Sequence, residues 1–407
     1  MITRERWLLL IAWLMVVSIG CDSTGDRGRF ELMSEDGVEV AYTLGGPLYE
    51  GDLFTFEKVV ELNQDPDNVE SLVFRVRVVV EGPDGCFYVP DWGGGRIAVF
   101  GPDGEYQRSF GRQGAGPGEF RNMVFQSLQG DVLSLRDRRN NRTTIYRTDG
   151  TLLDILSPTV GLYTLQYDRI PGGIILQRWF EDEEREDTGH LSYCLSLSRE
   201  ADGDTFAVLR TPMVPTVFTD QDLAIEMPMP YAGSPYAWWT PGQGILLVDG
   251  YEPVLYRYDL RGNLTLKILP GIELPPVTDA LKRSFEARIP VLTWQADPDW
   301  NHPGRFQPRY PKYPVHVGLC DHAVLDDAGF IWLLDVLDRY KRQEGEGYLY
   351  HVIDPEGRYL GRARLPVEKP RISFGHLTGI QEDPETGEQH LVVYSINSVI
   401  DAVSYPQ

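Results

Sequence analysis

The chain repeats itself, and its clearest copy, residues 82–120, reads GPDGCFYVPDWGGGRIAVFGPDGEYQRSFGRQGAGPGEF. A turn leads into an apolar run that closes on an acidic residue. A second apolar run, another turn and a third run follow. Short apolar runs punctuated by Gly, Pro and Asp are the pattern of a small antiparallel sheet. The next copy keeps one constant offset: Asp91 maps to Asp137, Arg96 to Arg142, Val99-Phe100 to Ile145-Tyr146 and Gly104 to Gly150. Farther along, DDAGFIWLLD repeats PDGCFYVPD, setting Gly329 on Gly85 and Asp335 on Asp91. A unit that cannot bury its own faces must stack on its neighbours, so such a chain is confined to repeat architectures.

Several strands in each unit of about 40–50 residues identify the unit as a blade of a β-propeller. The expected fold is all-β: six four-stranded antiparallel blades. In blade 1 the strands are predicted at Arg75–Val80, Cys86–Val89, Arg96–Phe100 and Tyr106–Phe110. Blade 2 follows from the offset, and blades 3, 4 and 5 are expected over 164–209, 234–269 and 317–365. The last blade, 372–405, lacks an outer strand. Val38–Leu44, followed by Gly45-Gly46, is expected to supply it and so tie the ends of the ring together, because an open ring exposes two unpaired edges. Glu57–Leu62 fits no blade cleanly. Two insertions interrupt the array, 211–236 and 271–316. In the second, Thr278-Asp279 caps a predicted helix over Ala280–Arg288 that ends at Pro290. Loops this long in a compact fold are usually functional.

The N-terminus reads as an address. Arg4 and Arg6 precede an apolar run from Trp7 to Ile19, too short to span a bilayer comfortably, and Gly20-Cys21 follows. Val17-Ser18-Ile19-Gly20-Cys21 resembles a bacterial lipobox, with Ser18 where Leu is usual. Residues 1–21 are therefore expected to be a signal peptide, Cys21 the acylated first residue, 22–36 a polar tether and 37–407 a single propeller domain. The expected location is the bacterial cell envelope, outside the cytoplasm. Cys86, Cys194 and Cys320 remain, an odd number that fits neither a disulfide framework nor a zinc pattern. A formal charge of −22 argues against nucleic acid as a partner, since phosphate binding needs clustered Lys and Arg.

At FGRQGAGPGEF, with Asp91, Arg96 and Val99-Phe100, the chain resembles an NHL-repeat or TolB-like six-bladed propeller. Asn141 keeps the Asn that precedes Arg in that pattern, whereas Gly95 replaces it in blade 1. The resemblance implies a toroid whose inner strands line a channel and whose binding site lies at one channel mouth. Some similar propellers are lactonases or lyases and others only bind, so the fold leaves the chemistry open.

Motifs narrow it. Gly111–Gly118 lacks the Lys-Ser/Thr ending of a phosphate loop and reads as an inter-blade turn; the chain has no HExxH and no GxSxG. The acidic run Glu181–Asp187 lacks the spacing of a calcium loop. Asp91, Asp137 and Asp335 recur at one blade position and are expected to hold turns. The leading expectation is a lipid-anchored module, monomeric and without a cofactor, that binds a protein or small-molecule ligand. Trp294, Trp300 and Tyr310, with Trp238-Trp239, are the candidate stacking residues. The alternative is a metal-dependent lactonase-like hydrolase or lyase. It would hold one divalent cation, calcium or zinc, near His322 and His376 at the channel, with Asp168 and Glu382 as neighbours.

Overall fold

The structure is a computed structural model. It describes residues 28–157, 164–170, 173–183, 190–201, 203–218, 223–228, 231–240, 242–292, 313–343, 345–383 and 385–406. Six antiparallel sheets follow one another along the chain as the blades of a propeller. Blade 1 is Val80–Glu81, Phe87–Asp91, Arg96–Phe100 and Tyr106–Phe110, and blade 2 is Met123–Gln129, Val132–Asp137, Arg142–Arg147 and Leu152–Leu156. Blade 5 is Ala323–Leu325, Ile331–Leu334, Tyr348–Ile353 and Tyr359–Leu365. In each blade the first strand lies innermost. The channel therefore has two faces: an entry face, where the chain enters each inner strand, and a turn face, where the first hairpin of each blade turns back.

Alternation along the strands packs the blades together. Phe87 and Val89 face blade 6, where they meet Leu391 and Val393. Tyr88, between them, faces blade 2 with Met123, Leu133 and Leu135. A strand buried on both faces must be apolar throughout, which is why CFYV and FIWLL read as unbroken runs rather than alternating ones. Similar clusters join blades 3 and 4, 4 and 5, and 5 and 6. Gly85 and Gly329 take φ of 72° and 88° in the first hairpins of blades 1 and 5, a region that L side chains avoid.

An N-terminal strand closes the ring on the last blade, as expected, but it is not the expected strand. Phe54–Glu61, not Val38–Leu44, is the outer strand of the last blade, antiparallel to Gln389–Ser398 from Phe54↔Ser398 to Glu61↔Val392. Val38–Leu44 instead runs parallel to Leu264–Leu269 at the edge of blade 4, and Arg29–Glu35 pairs beyond it, giving a sheet of six strands. The reason is burial. Leu53 and Phe54 pack among Trp332, Leu377, Ile396 and Tyr405, whereas Ala41 fits over Ile268 and Tyr359 at the junction of blades 4 and 5. Part of the supposed tether, 29–35, is thus a strand.

Three more boundaries move. The insertion at 211–236 is largely a prolonged hairpin, Thr205–Phe218 with Leu223–Pro228, which makes blade 3 five-stranded. The inner strand of blade 1 is only Val80–Glu81. The residues before it turn their backbone sideways, Phe74 N to Asp91 Oδ1 at 3.0 Å and Val76 N to Gln389 Oε1 at 3.0 Å. The helix of the second insertion spans Asp279–Leu292 and runs through Pro290, close to its end, where a single hydrogen bond is forfeited. Thr278 caps it, its Oγ1 accepting from Leu281 N at 3.4 Å.

The repeated aspartates and arginines organise turns. Asp91 Oδ1 accepts from Phe74 N and Gly94 N, and Asp137 accepts from the backbone of Arg121, Asn122 and Asn140. Asp335 caps the helix Val336–Lys341, its Oδ1 accepting from Asp338 N at 2.9 Å. Arg142 reaches into the Gly111–Gly118 connection and donates to the carbonyls of Ala115, Gly116 and Glu119, while Tyr146 Oη donates to Gly118 O at 2.9 Å. The glycine-rich loop is held through its carbonyl oxygens, the wrong polarity for a phosphate. Arg142→Ala removes a donor from three carbonyls, of which Gly116 O keeps the Glu119 N–H, and should cost about 2 kcal/mol, read as a lowered Tm with the folded spectrum retained.

Candidate functional site

The inner strands enclose a cavity of about 320 Å³ at the turn face of the channel. Val80 and Glu81 line it from blade 1, Phe125 to Gly130 from blade 2, and Trp238 to Thr240 from blade 4. Val324 to Asp327 and Arg371 to Phe374 come from blades 5 and 6.

Its wall combines flat apolar surface with groups of both charges. Arg371 opens the inner strand of blade 6, and its guanidinium crosses to blade 2, 5.0 Å from the centroid of the Phe125 ring. Trp238 stacks on Tyr236 at 5.5 Å with an interplanar angle of 9°, and Tyr236 Oη donates to Asp321 O at 2.8 Å. Gln126 accepts from Ser134 Oγ at 3.2 Å, while its Nε2 is buried without a hydrogen-bond acceptor. A buried amide donor with no acceptor costs free energy unless a ligand or water meets it.

Carboxylates line the cavity from blades 1 and 5, on either side of blade 6. Glu81 is buried and contacts His376 Nδ1 through both oxygens, at 3.1 and 3.0 Å. Burial raises its pKa above the ordinary carboxylate range, His376 opposes the rise and Asp327 adds to it. Asp327 Oδ2 accepts from Phe374 N at 2.8 Å. Asp326 accepts from Phe330 N, from Trp332 Nε1 at 2.8 Å and from Tyr405 Oη at 2.7 Å; burial still pushes its pKa up to about 7.

His322 and His376 lie in different surroundings. His322 precedes the inner strand of blade 5 at the entry face, edge-on to Tyr236 at 5.9 Å, with Nδ1 3.3 Å from Tyr350 Oη. Burial, then the charges of Arg371 and Lys369, lower its pKa to about 3, so it stays neutral. His376 begins the second strand of blade 6 at the turn face. The two share no hydrogen-bond partner, and the described residues contain no group of three or more His, Cys, Asp or Glu side chains placed to hold a metal. Asp326, Asp327 and Glu81 are each occupied by protein donors.

Glu382 ends the second strand of blade 6, away from the cavity lining, and Asp168 lies in the inner strand of blade 3. Cys21, Trp294, Trp300 and Tyr310 lie outside the described residues. No disulfide joins Cys86, Cys194 and Cys320 among the described residues. Sequence reasoning missed Glu81, Gln126 and Arg371. The available signal was a charged or amide side chain within an otherwise apolar inner strand.

No protein-family model and no curated protein matches the sequence. Solved structures do resemble the fold. A presumed exported protein from Bacteroides fragilis aligns over 85% of this chain and 95% of its own, at 12% identity and a TM-score of 0.46. A member of the DUF4221 family from Bacteroides vulgatus aligns over 86% and 99%, at 9% identity and 0.44. The calcium-binding protein regucalcin from Agrobacterium tumefaciens aligns over 86% and 96%, at 11% identity and 0.39. No helix among the described residues is long and apolar enough to cross a membrane.

Proposed function

We propose that this protein is an exported, lipid-anchored propeller that binds a small ligand in the turn-face cavity of its channel. The observation that carries the reading is the Gln126 amide donor, buried without an acceptor in a wall that also presents Arg371, Phe125 and Trp238. Such a wall suits a small molecule with a flat apolar part and at least one hydrogen-bond acceptor. No nucleophile–base pair accompanies it among the described residues, so the proposed role is binding.

A thermal-shift screen of small polar-aromatic compounds tests this. A true ligand should raise Tm by several degrees, and Arg371→Ala or Trp238→Ala should weaken it at least about tenfold, roughly 1.4 kcal/mol. Ligands indifferent to both variants would reject the site. Trp294, Trp300 and Tyr310 lie in the connection between blades 4 and 5, whose described end reaches blade 5 at the entry face. If replacing 278–314 with a short linker removes binding while Arg371→Ala does not, the site lies at that other mouth. Retention of one calcium or zinc per purified chain would favour the hydrolase or lyase reading instead. The anchor is checked separately, by fatty-acid labelling that Cys21→Ser should abolish.

A further inference from the structure

The chain is strongly acidic, yet one side of its entry face carries five exposed arginines: Arg75, Arg77, Arg121, Arg138 and Arg139. They sit on the connections into blades 1 and 2 and on the loop between the second and third strands of blade 2. Backbone hydrogen bonds draw these segments together. Arg121 N donates to Asp137 Oδ2 at 2.9 Å, Arg138 N to Asn122 O at 3.0 Å and Gly93 N to Phe74 O at 2.9 Å. Arg77 lies 3.8 Å over the Trp92 ring, and the charge of Arg138 is near enough to help lower its pKa. Arg75 is held at φ 56°, with Phe74 beside it 57% exposed.

Among the described residues no ion pair neutralises this cluster. Asp91 and Asp137 point their oxygens at backbone N–H groups and at Arg96 and Asn140. Asp67 and Glu70 are in the same connection as Arg75, but no ion pair joins them to the five guanidinium groups among the described residues. Like charges gathered at a cost and left without counter-charges mark a surface for an anionic partner.

We infer that this surface rests on the anionic phospholipid headgroups of the membrane that carries the protein. The inference builds on the anchor reading of Cys21. From Cys21 to Gly28 is seven residues, a reach of at most about 25 Å, so an acylated chain keeps the propeller against the bilayer. A domain of charge −22 is repelled by anionic lipid at that range, and a locally basic face is the orientation that relieves the repulsion. Gly28 donates to Pro47 O at 3.0 Å near the junction of blades 4 and 5, across the ring from blades 1 and 2. Lipid and arginines then hold opposite sides of the disc, turn the entry face to the membrane and leave the turn-face cavity open.

All six blades and their closure lie after residue 28, so the chain from Asp22 onward, without lipid, is a folded test protein. It should co-sediment with phosphatidylcholine vesicles containing phosphatidylglycerol, not with phosphatidylcholine alone, and salt should release it. Arg77→Gln/Arg121→Gln/Arg138→Gln/Arg139→Gln should bind at least about tenfold more weakly, with unchanged Tm. Equal binding by that variant, or no preference of the parent chain for phosphatidylglycerol, overturns the inference. Displacement by low millimolar inorganic phosphate also overturns it, by identifying a soluble phosphate-bearing ligand as the occupant. Acyl labelling at Cys21 is read in a separate assay, so failure of the anchor is distinguishable from failure of the patch.

Discussion

A chain that begins at residue 62 should fail to fold cooperatively, whereas one that begins at residue 46 should still fold. The first lacks Phe54–Glu61, which completes blade 6 along its whole length and brings Leu53 and Phe54 into the core with Trp332, Leu377 and Ile396. Without it blade 6 presents a bare edge and its largest apolar cluster opens to water. Losing several large side chains at about 2–3 kcal/mol each, together with the ring closure, consumes most of a stability of about 5–15 kcal/mol. The second chain loses only the pair of strands added to blade 4, where Val40, Ala41 and Thr43 are buried. That should cost about 2–4 kcal/mol and lower Tm by several degrees. Circular dichroism melts of both chains distinguish the outcomes. If both unfold alike, closure does not depend on Phe54–Glu61.

The second large effect is a pH dependence at Asp326. Asp326 is 2% exposed, and burial raises its pKa to about 7 from the ordinary 3.8 despite three hydrogen-bond donors. A carboxyl whose folded pKa is raised binds its proton more tightly in the native state. Its contribution is therefore full below about pH 4 and is lost as pH rises through about 7. A shift of this size amounts to at most about 4 kcal/mol across that window. Asp326→Asn keeps the shape and removes the titration. The variant should be less stable than the parent, or equal to it, near pH 4 and gain on it steadily toward pH 7.5. Urea titrations at several pH values measure the difference. A stability difference that does not change with pH would mean that Asp326 does not titrate in this range. Tyr405 holds the C-terminal segment against Trp332, Phe54 and Phe330, so loosening of that segment should accompany the loss.

Much of this fold was legible because local chemistry is repeated. Asp84 Oδ2 accepts from Tyr88 Oη at 2.6 Å, and in blade 5 Asp326, which stands where blade 1 has Gly82, accepts from the corresponding Trp332 Nε1. An acid in the first hairpin thus meets the polar tip of the same second-strand aromatic in both blades. Asp91 and Asp137 hold turns in parallel ways for the same reason. Closure was harder to read. Val38–Leu44 and Phe54–Glu61 are both short apolar strands near the N-terminus, and local pattern gives each the same propensity to extend a sheet. The choice rests on which surface fits which cluster, and those clusters combine residues from opposite ends of the chain.

The repeat, with its turn glycines and unbroken apolar runs, was enough to dictate six stacked sheets, since each blade's pairing is local and each must cover its neighbour. Which residues face one another across the channel was decided by ring closure. Arg371 meets Phe125, and Glu81 meets His376, only because the last blade comes round to the first. The same geometry separates His322 from His376, although both begin strands of adjacent blades, because one stands at the entry face and the other at the turn face. Periodicity determines strands. The closing of the ring determines the site.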